Sequence, residues 1–288
     1  MLNVYDFMKD LPDAKRLIVN DLLFADYKCP LSENRFDMWT HHNYFVYVIS
    51  GKKKWFSGDT EVVAQAGDCI FVKKGAHSIY QYFDDDFCSL FMYLPDDFIR
   101  DTLLENKLEM QAGNKDDTPS PILRVQTDER LTAYFYSFLS YISKSTPAVS
   151  DKKLAELKFR ELIMILASGP GNSAVTGYFQ EVCNSAKPSL QSVMETNFNY
   201  PMSLEEYARL SGRSLSVFKR DFRESYNTTP GRWLTQKRLE HGRYLLKNTG
   251  KSVTEVVLDC GFKNISHFSR AFKKQFGNTP LQIKKTSK

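Results

Sequence analysis

The last hundred residues of this 288-residue chain contain an internal repeat, and the repeat restricts the fold more than any other feature of the sequence. Ser203-Leu-Glu-Glu206 recurs as Ser252-Val-Thr-Glu255, and Ser211-Gly212 as Cys260-Gly261, at an offset of 49. One extra residue later, Phe218-Lys-Arg220-Asp-Phe222 recurs as Phe268-Ser-Arg270-Ala-Phe272. Tyr226, Thr229 and Pro230 then match Phe276, Thr279 and Pro280, at an offset of 50. Each unit opens on a serine N-cap with a glutamate three residues on, a capping box. A helix of about two turns follows, then a glycine where the chain needs a left-handed residue. A second helix carries two phenylalanines at i, i+4, and Pro230 and Pro280 read as stop signals. Helix, glycine-bearing turn and helix make a helix-turn-helix, whose second helix fits a DNA major groove.

The outward face of each second helix should then be polar and basic. The first offers Ser216, Lys219, Arg220 and Arg223; the second offers Asn264, Ser266, His267, Arg270 and Lys273. Arginine can grip guanine bidentately and asparagine can grip adenine. Ser216, Lys219, Arg220, Asn264, Ser266, His267 and Arg270 are therefore expected at bases, and Ser203, Arg223, Ser252 and Lys273 at phosphates. Val217 and Ile265 either touch thymine methyls or close the small core. The helices of this region are expected at Ser189–Phe198, Leu204–Leu210, Leu215–Tyr226, Gly231–Lys247, Val253–Asp259 and Ile265–Phe276, with a short one after Pro280.

On these residues, 189–284 resemble the DNA-binding domain of the AraC/XylS family of bacterial transcription regulators. The stretch from Ser252 to Phe262, and then from Phe268 to Pro280, is close to the family signature. The resemblance implies two helix-turn-helix units joined by a long helix, here Gly231–Lys247, that enter successive major-groove faces. It also implies RNA polymerase as a partner, and a regulator that is more often an activator.

Charge agrees. Residues 188–288 hold 18 Lys and Arg against 8 Asp and Glu, a net +10; residues 1–187 hold 21 against 26, a net −5. A basic excess gathered in one terminal third points to a polyanion, with a solvated basic surface as the alternative.

Residues 15–94 read as β structure. Short apolar runs (Leu17–Val19, Phe45–Ile49, Glu61–Ala64, Cys69–Val72, Ser78–Phe83, Phe87–Tyr93) are broken by glycine and aspartate turns, the pattern of a sandwich or small barrel. Gly67-Asp68-Cys-Ile-Phe-Val-Lys-Lys-Gly75-Ala-His77 resembles the second motif of cupins, with Lys73-Lys74 in place of the proline region. Helices are expected at Asp96–Lys107, Asp128–Ser143 and Asp151–Ser168, with a polar loop at Gly113–Pro121. The last of these helices is apolar on more than one face in its second half. It packs against a dimer partner or against a larger core of its own, and residues 128–168 match where the family places dimerisation helices. The fold class is thus α+β in two domains: a cupin-like β-barrel with helices over 1–170, a linker over 171–187 with a short helix at Thr176–Cys183, and an all-α DNA-binding domain over 188–288.

Cupin enzymes hold a metal with histidines and a glutamate, and His41, His42 and His77 invite that reading. No Glu or Asp lies between Trp39 and Gly58, and adjacent residues of a strand point to opposite faces, so no metal and no cofactor is expected. A ligand pocket lined by Trp39, His42, Tyr44, Trp55, His77 and Tyr80 is the alternative use of this domain, with a small molecule or a protein as effector. The pattern Ile70-Phe-Val-Lys-Lys-Gly75, with Glu161-Leu-Ile-Met-Ile-Leu166 after it, also resembles the AraC-type activators of type III secretion genes, where a protein partner is the usual signal. A cupin-type metalloenzyme with an appended binding module is the competing function. No GxSxG, Walker loop or HExxH occurs, so no enzyme is expected. Asp84-Asp85-Asp86 reads as a solvated turn. Five scattered cysteines argue against a disulfide framework. There is no apolar run of membrane-spanning length and no apolar leader around Asp6, Asp10 and Asp13, so a cytoplasmic protein is expected.

Overall fold

A computed structural model of the chain describes residues 1–11, 14–28, 35–58, 60–82, 86–106, 120–142, 149–169, 171–184 and 188–285. It divides into two compact units, residues 2–186 and residues 187–288. Most of the polar loop 113–121, Asp84 and Asp85 of the acidic turn, and Cys29 lie outside the described residues.

The first unit holds β1 (Leu2–Asn3), α1 (Val4–Asp10), β2 (Lys15–Val19), β3 (Leu22–Lys28), β4 (Arg35–Thr40), β5 (Asn43–Ser50), β6 (Lys52–Ser57), β7 (Thr60–Gln65), β8 (Cys69–Val72), β9 (Gly75–Gln81), β10 (Cys88–Leu94), α2 (Asp96–Glu105), β11 (Ile122–Val125), α3 (Glu129–Ser137), α4 (Leu139–Ile142), α5 (Val149–Ser168) and α6 (Ser173–Asn184). The strands form two sheets, in the orders β1-β4-β9-β6-β7 and β11-β8-β5-β10-β3-β2. The two-residue period of a strand sends its side chains to two separate cores. Tyr44, Val46 and Val48 of β5, Phe91 and Tyr93 of β10, and Leu23 and Ala25 of β3 meet Trp55 and Ile79 of the other sheet. Phe45, Tyr47, Leu90, Met92 and Phe24 face the opposite way, against Phe135, Phe159, Leu162 and Phe179 of the helices. The six-stranded sheet is therefore buried on both faces, which is why Phe45–Ile49 is apolar without alternation.

Four expectations change here. Strands β1, β3, β4, β6 and β11 add to the six apolar runs of the sequence. The helix expected over Asp128–Ser143 breaks after Ser137, where the Phe138 N–H turns back to the Phe135 carbonyl, three residues away, at 3.3 Å. The second half of α5 is core of its own unit: Leu162, Ile163 and Leu166 are fully buried. Finally, the short helix expected at Thr176–Cys183 within the linker is longer, Ser173–Asn184, and is docked. The twelve residues of α6 bury Val175, Phe179 and Val182 in the helix-side core. A buried polar group adds to this: the Tyr178 hydroxyl donates to Asp96 (2.8 Å), and Asn43 Nδ2 donates to the same carboxylate (2.7 Å). Lys74 also pairs with Asp96, whose carboxyl stays below the usual carboxylate range because that pairing overcomes the burial that would raise it.

The second unit is all helix: α7 (Leu190–Asn197), α8 (Leu204–Leu210), α9 (Leu215–Tyr226), α10 (Pro230–Asn248), α11 (Val253–Asp259), α12 (Ile265–Phe276) and α13 (Pro280–Lys285). Pro230 and Pro280 are the first residues of α10 and α13 rather than stops, because the N–H that proline lacks would have no acceptor within the helix at that position. No helix among the described residues is long and apolar enough to cross a membrane.

Candidate nucleic-acid interface

The two repeat units fold alike, down to single bonds. The Glu206 N–H donates to Ser203 Oγ at 3.2 Å, and the Ser203 N–H donates back to Glu206 at 2.6 Å. Glu255 and Ser252 make the same two bonds at the same distances. Two donors of each first turn are thereby satisfied. The bond from the Ser252 N–H also holds the Glu255 carboxyl below its usual range. At the far ends, the Arg213 N–H bonds back to the Ala208 carboxyl-end carbonyl at 3.0 Å, and the Phe262 N–H to the Val257 carbonyl at 3.1 Å. Those bonds need the intervening residue in the left-handed region, and Gly212 (φ 65°) and Gly261 (φ 72°) supply it.

The second helices are α9 and α12. Phe218, Phe222, Phe268 and Phe272 are all fully buried, one turn apart on the inner faces. That geometry sends Ser216, Lys219, Arg220 and Arg223 of α9, and Ser266, His267, Arg270 and Lys273 of α12, to the exposed faces. Ile265 is 46% exposed, so it does not close the core; Val217 is half-buried.

Four of the expected contact residues are already engaged. Asn264 is the N-cap of α12: its Oδ1 accepts from the His267 N–H at 3.0 Å. A bidentate grip on adenine needs that oxygen, so only the amide NH2 is left to point outward. Ser203 and Ser252 accept through Oγ in the capping boxes and keep only the hydroxyl proton for a phosphate. Arg220 pairs with its neighbour Asp221 at 3.1 Å, and Arg213 holds the other oxygen at 3.1 Å. The Arg213 bond is the main cause that keeps the Asp221 carboxyl below its usual range. Arg270 has no such partner among the described residues; its Nε reaches the Ser266 carbonyl at 3.4 Å. A groove of about 740 Å³ runs beside α9, lined by Lys219, Arg220, Arg223, Asn227 and Thr229. Asn227 did not stand out in the sequence, and Thr229 did so only as a member of the repeat; it occupies the N-cap position of α10 and makes no side-chain cap bond there.

The six residues expected around a ligand pocket are divided among core, strand and turn positions. Tyr44, Trp55 and His77 are core, and the Tyr44 hydroxyl lies 2.6 Å from His77 Nε2. Burial pushes the His77 imidazole down to about 4 and the Tyr44 hydroxyl up. Tyr80 packs on Tyr82, and Trp39 and His42 lie toward the β4–β5 turn. A cavity of about 20 Å³, room for one water molecule, is lined by Trp55 but by none of the other five. His41 and His42 sit in that turn rather than in a strand, and both rings pack on Tyr5. No group of three His, Cys, Asp or Glu among the described residues could hold a metal ion.

Comparison with known proteins matches both units. Residues 43–178 match the ExsA N-terminal regulatory domain, and residues 207–286 match a helix-turn-helix domain. The thermoregulatory protein LcrF of Yersinia pestis is 24% identical over 241 residues, covering 83% of this chain and 88% of LcrF. The HTH-type transcriptional regulator ExsA of Pseudomonas aeruginosa is 29% identical over 127 residues, 44% of this chain and 46% of ExsA. The HTH-type transcriptional activator RhaS of an Enterobacter species is 32% identical over 129 residues, 45% of each chain. The chain thus joins an ExsA-type regulatory domain to an AraC-family helix-turn-helix domain, the two-domain make-up of a transcription regulator.

Proposed function

We propose that this regulator reads a two-part site on duplex DNA, with α9 in one major groove and α12 in the next. The observation that carries the reading is the match of Arg220 and Arg270: both lie opposite a buried phenylalanine pair, both are exposed, and both stand where a bidentate grip on guanine is available. Ser216, Lys219, Ser266 and His267 share the base-reading face. Arg223 and Lys273 lie one turn further along and take phosphates, together with the hydroxyls of Ser203 and Ser252. The groove beside α9 has the lining that a phosphodiester strand needs. The net +10 of residues 188–288 supplies the non-specific part of the affinity.

The first unit controls the second. Leu154, Leu157 and Met164 of α5 are exposed and fall on one helix face, which suits a second copy of the chain, so the regulator works as a homodimer through residues 128–168. An effector, small molecule or protein, acts on residues 43–178. The output is activation through RNA polymerase in the cytoplasm; among the relatives, RhaS is a transcriptional activator. No catalytic step and no cofactor is assigned. Selection of duplexes from random DNA by the full chain tests the reading. Enrichment of two short elements about one helical turn apart, ~34 Å, is the expected result. A pool without an enriched motif overturns it.

A further inference from the structure

The repeat is broken at one place, and the break shows how the two helix-turn-helix units are held together. Gly212 and Gly261 occupy the same turn with nearly the same φ, 65° and 72°. A Cβ on Gly212 would meet nothing within 4 Å. A Cβ on Gly261 would stand 2.7 Å from the Asn199 carbonyl oxygen, 2.9 Å from the Asn199 carbonyl carbon and 3.0 Å from that of Tyr200. These are backbone atoms and cannot swing away. The turn of the second unit therefore rests directly on the α7–α8 loop, in front of the first.

That loop is pinned from two sides. Arg238, in the middle of α10, donates from Nε to the Phe198 carbonyl and from Nη2 to the Tyr200 carbonyl, both at 2.6 Å. The Tyr207 hydroxyl of α8 donates to the Asn197 carbonyl at 2.6 Å, and Tyr200 and Met202 are buried. The Arg238 charge acts on both Tyr207 of the first unit and Cys260 of the second. Charged donors on carbonyls are among the stronger hydrogen bonds. Helix α10 packs on α9 of the first unit and on α11, α12 and α13 of the second, and the loop adds a connection beside it.

We propose that the α7–α8 loop is a spacer that locks the phase between α9 and α12, with Arg238 and Gly261 as positioning residues. The chain then accepts one spacing between the two DNA elements. An added base pair moves an element by ~3.4 Å and turns it by about 35°, which a locked pair cannot follow. The consequence on DNA rests on the reading given above; the lock is a property of the free protein.

The test uses the full chain, wild type and three variants, with two measurements. Affinity is measured for duplexes whose two elements are moved by one base pair either way. The wild type is expected to lose about tenfold or more, and Arg238→Gln about twofold. Gly261→Ala should flatten or shift the same profile. Gly212→Ala shares the backbone strain but has open space, so it should keep the wild-type profile at lower affinity. Hydrogen exchange without DNA is the second measurement: the Met202 amide, bonded to the Tyr200 carbonyl at 2.8 Å, should exchange faster in Arg238→Gln and not in Gly212→Ala. Unchanged exchange in Arg238→Gln overturns the lock. So does a Gly212→Ala profile as flat as that of Gly261→Ala, or an Arg238→Gln profile parallel to the wild type. Faster exchange in a protein that selects no two-part site supports the lock and removes the DNA reading instead.

Discussion

Replacing Arg270 by alanine separates reading a base from holding the duplex. The side chain is exposed, its bond to the Ser266 carbonyl is long at 3.4 Å, and the core under it is made by Phe268 and Phe272. Truncation should therefore leave folding stability within about 0.5 kcal/mol, since alanine is also the better helix former. On DNA the loss is that of one bidentate contact, about 1–3 kcal/mol, or roughly five- to 150-fold at a single base position. Lys273→Ala, one turn along, should weaken every duplex alike and lower the slope of log K against log salt by about 0.9. The assay is competition binding with each base placed in turn at each position, repeated over a salt series. If Arg270→Ala weakens all duplexes equally, or Lys273→Ala changes a base preference, the assigned register of α12 is wrong. Arg220→Ala should cost less than its counterpart, because the Arg220 guanidinium has to leave Asp221 before it can reach a base.

Three further outcomes follow from packing and titration. Gly242→Ala puts a Cβ 3.0 Å from two ring carbons of the buried Phe268; overpacking of ~1–3 kcal/mol should exceed the helix-propensity gain of ~1 kcal/mol, and a stabilised variant in chemical denaturation would show that the ring can yield. His77 titrates near 4 when folded and near 6.5 when unfolded, so the stability it leaves intact above pH 6.5 is lost as pH falls toward 4. Unfolding free energies from urea titrations at pH 7.5 and pH 5 should differ by about 2 kcal/mol more in the wild type than in His77→Gln; equal differences would mean the imidazole is not buried neutral. Leu157 is 60% exposed, so Leu157→Glu should leave the fold intact and shift the chain to monomer in sedimentation; a dimer that persists places the interface elsewhere.

The DNA-binding unit was legible because its determinants are local. Serine caps, glutamates at the third position, left-handed glycines and phenylalanines one turn apart act within about a dozen residues, and the helix bounds came out within a residue or two. The sheets were legible only in part. Leu22–Lys28 is buried on both faces and shows no alternation, and in the lysine run Lys52-Lys-Lys54 the middle residue is only 4% exposed, its ammonium over the Tyr27 and Phe87 rings. Helix α6 was expected as a short helix in a linker, and only the structure shows Val175, Phe179 and Val182 packed in the core.

At the interface, the sequence by itself determined which side chains face outward: once a phenylalanine pair points inward, a helix of 3.6 residues per turn leaves no choice for Arg220, Arg270, Lys219 and Lys273. It did not determine which of them is free to act. Asn264 was spent on a cap, Arg220 was paired with Asp221, and Gly212 and Gly261 were identical letters in identical turns. Only the tertiary structure told the two glycines apart, because what distinguishes them is the backbone of Asn199 and Tyr200, some sixty residues away in sequence and in contact with one glycine but not the other.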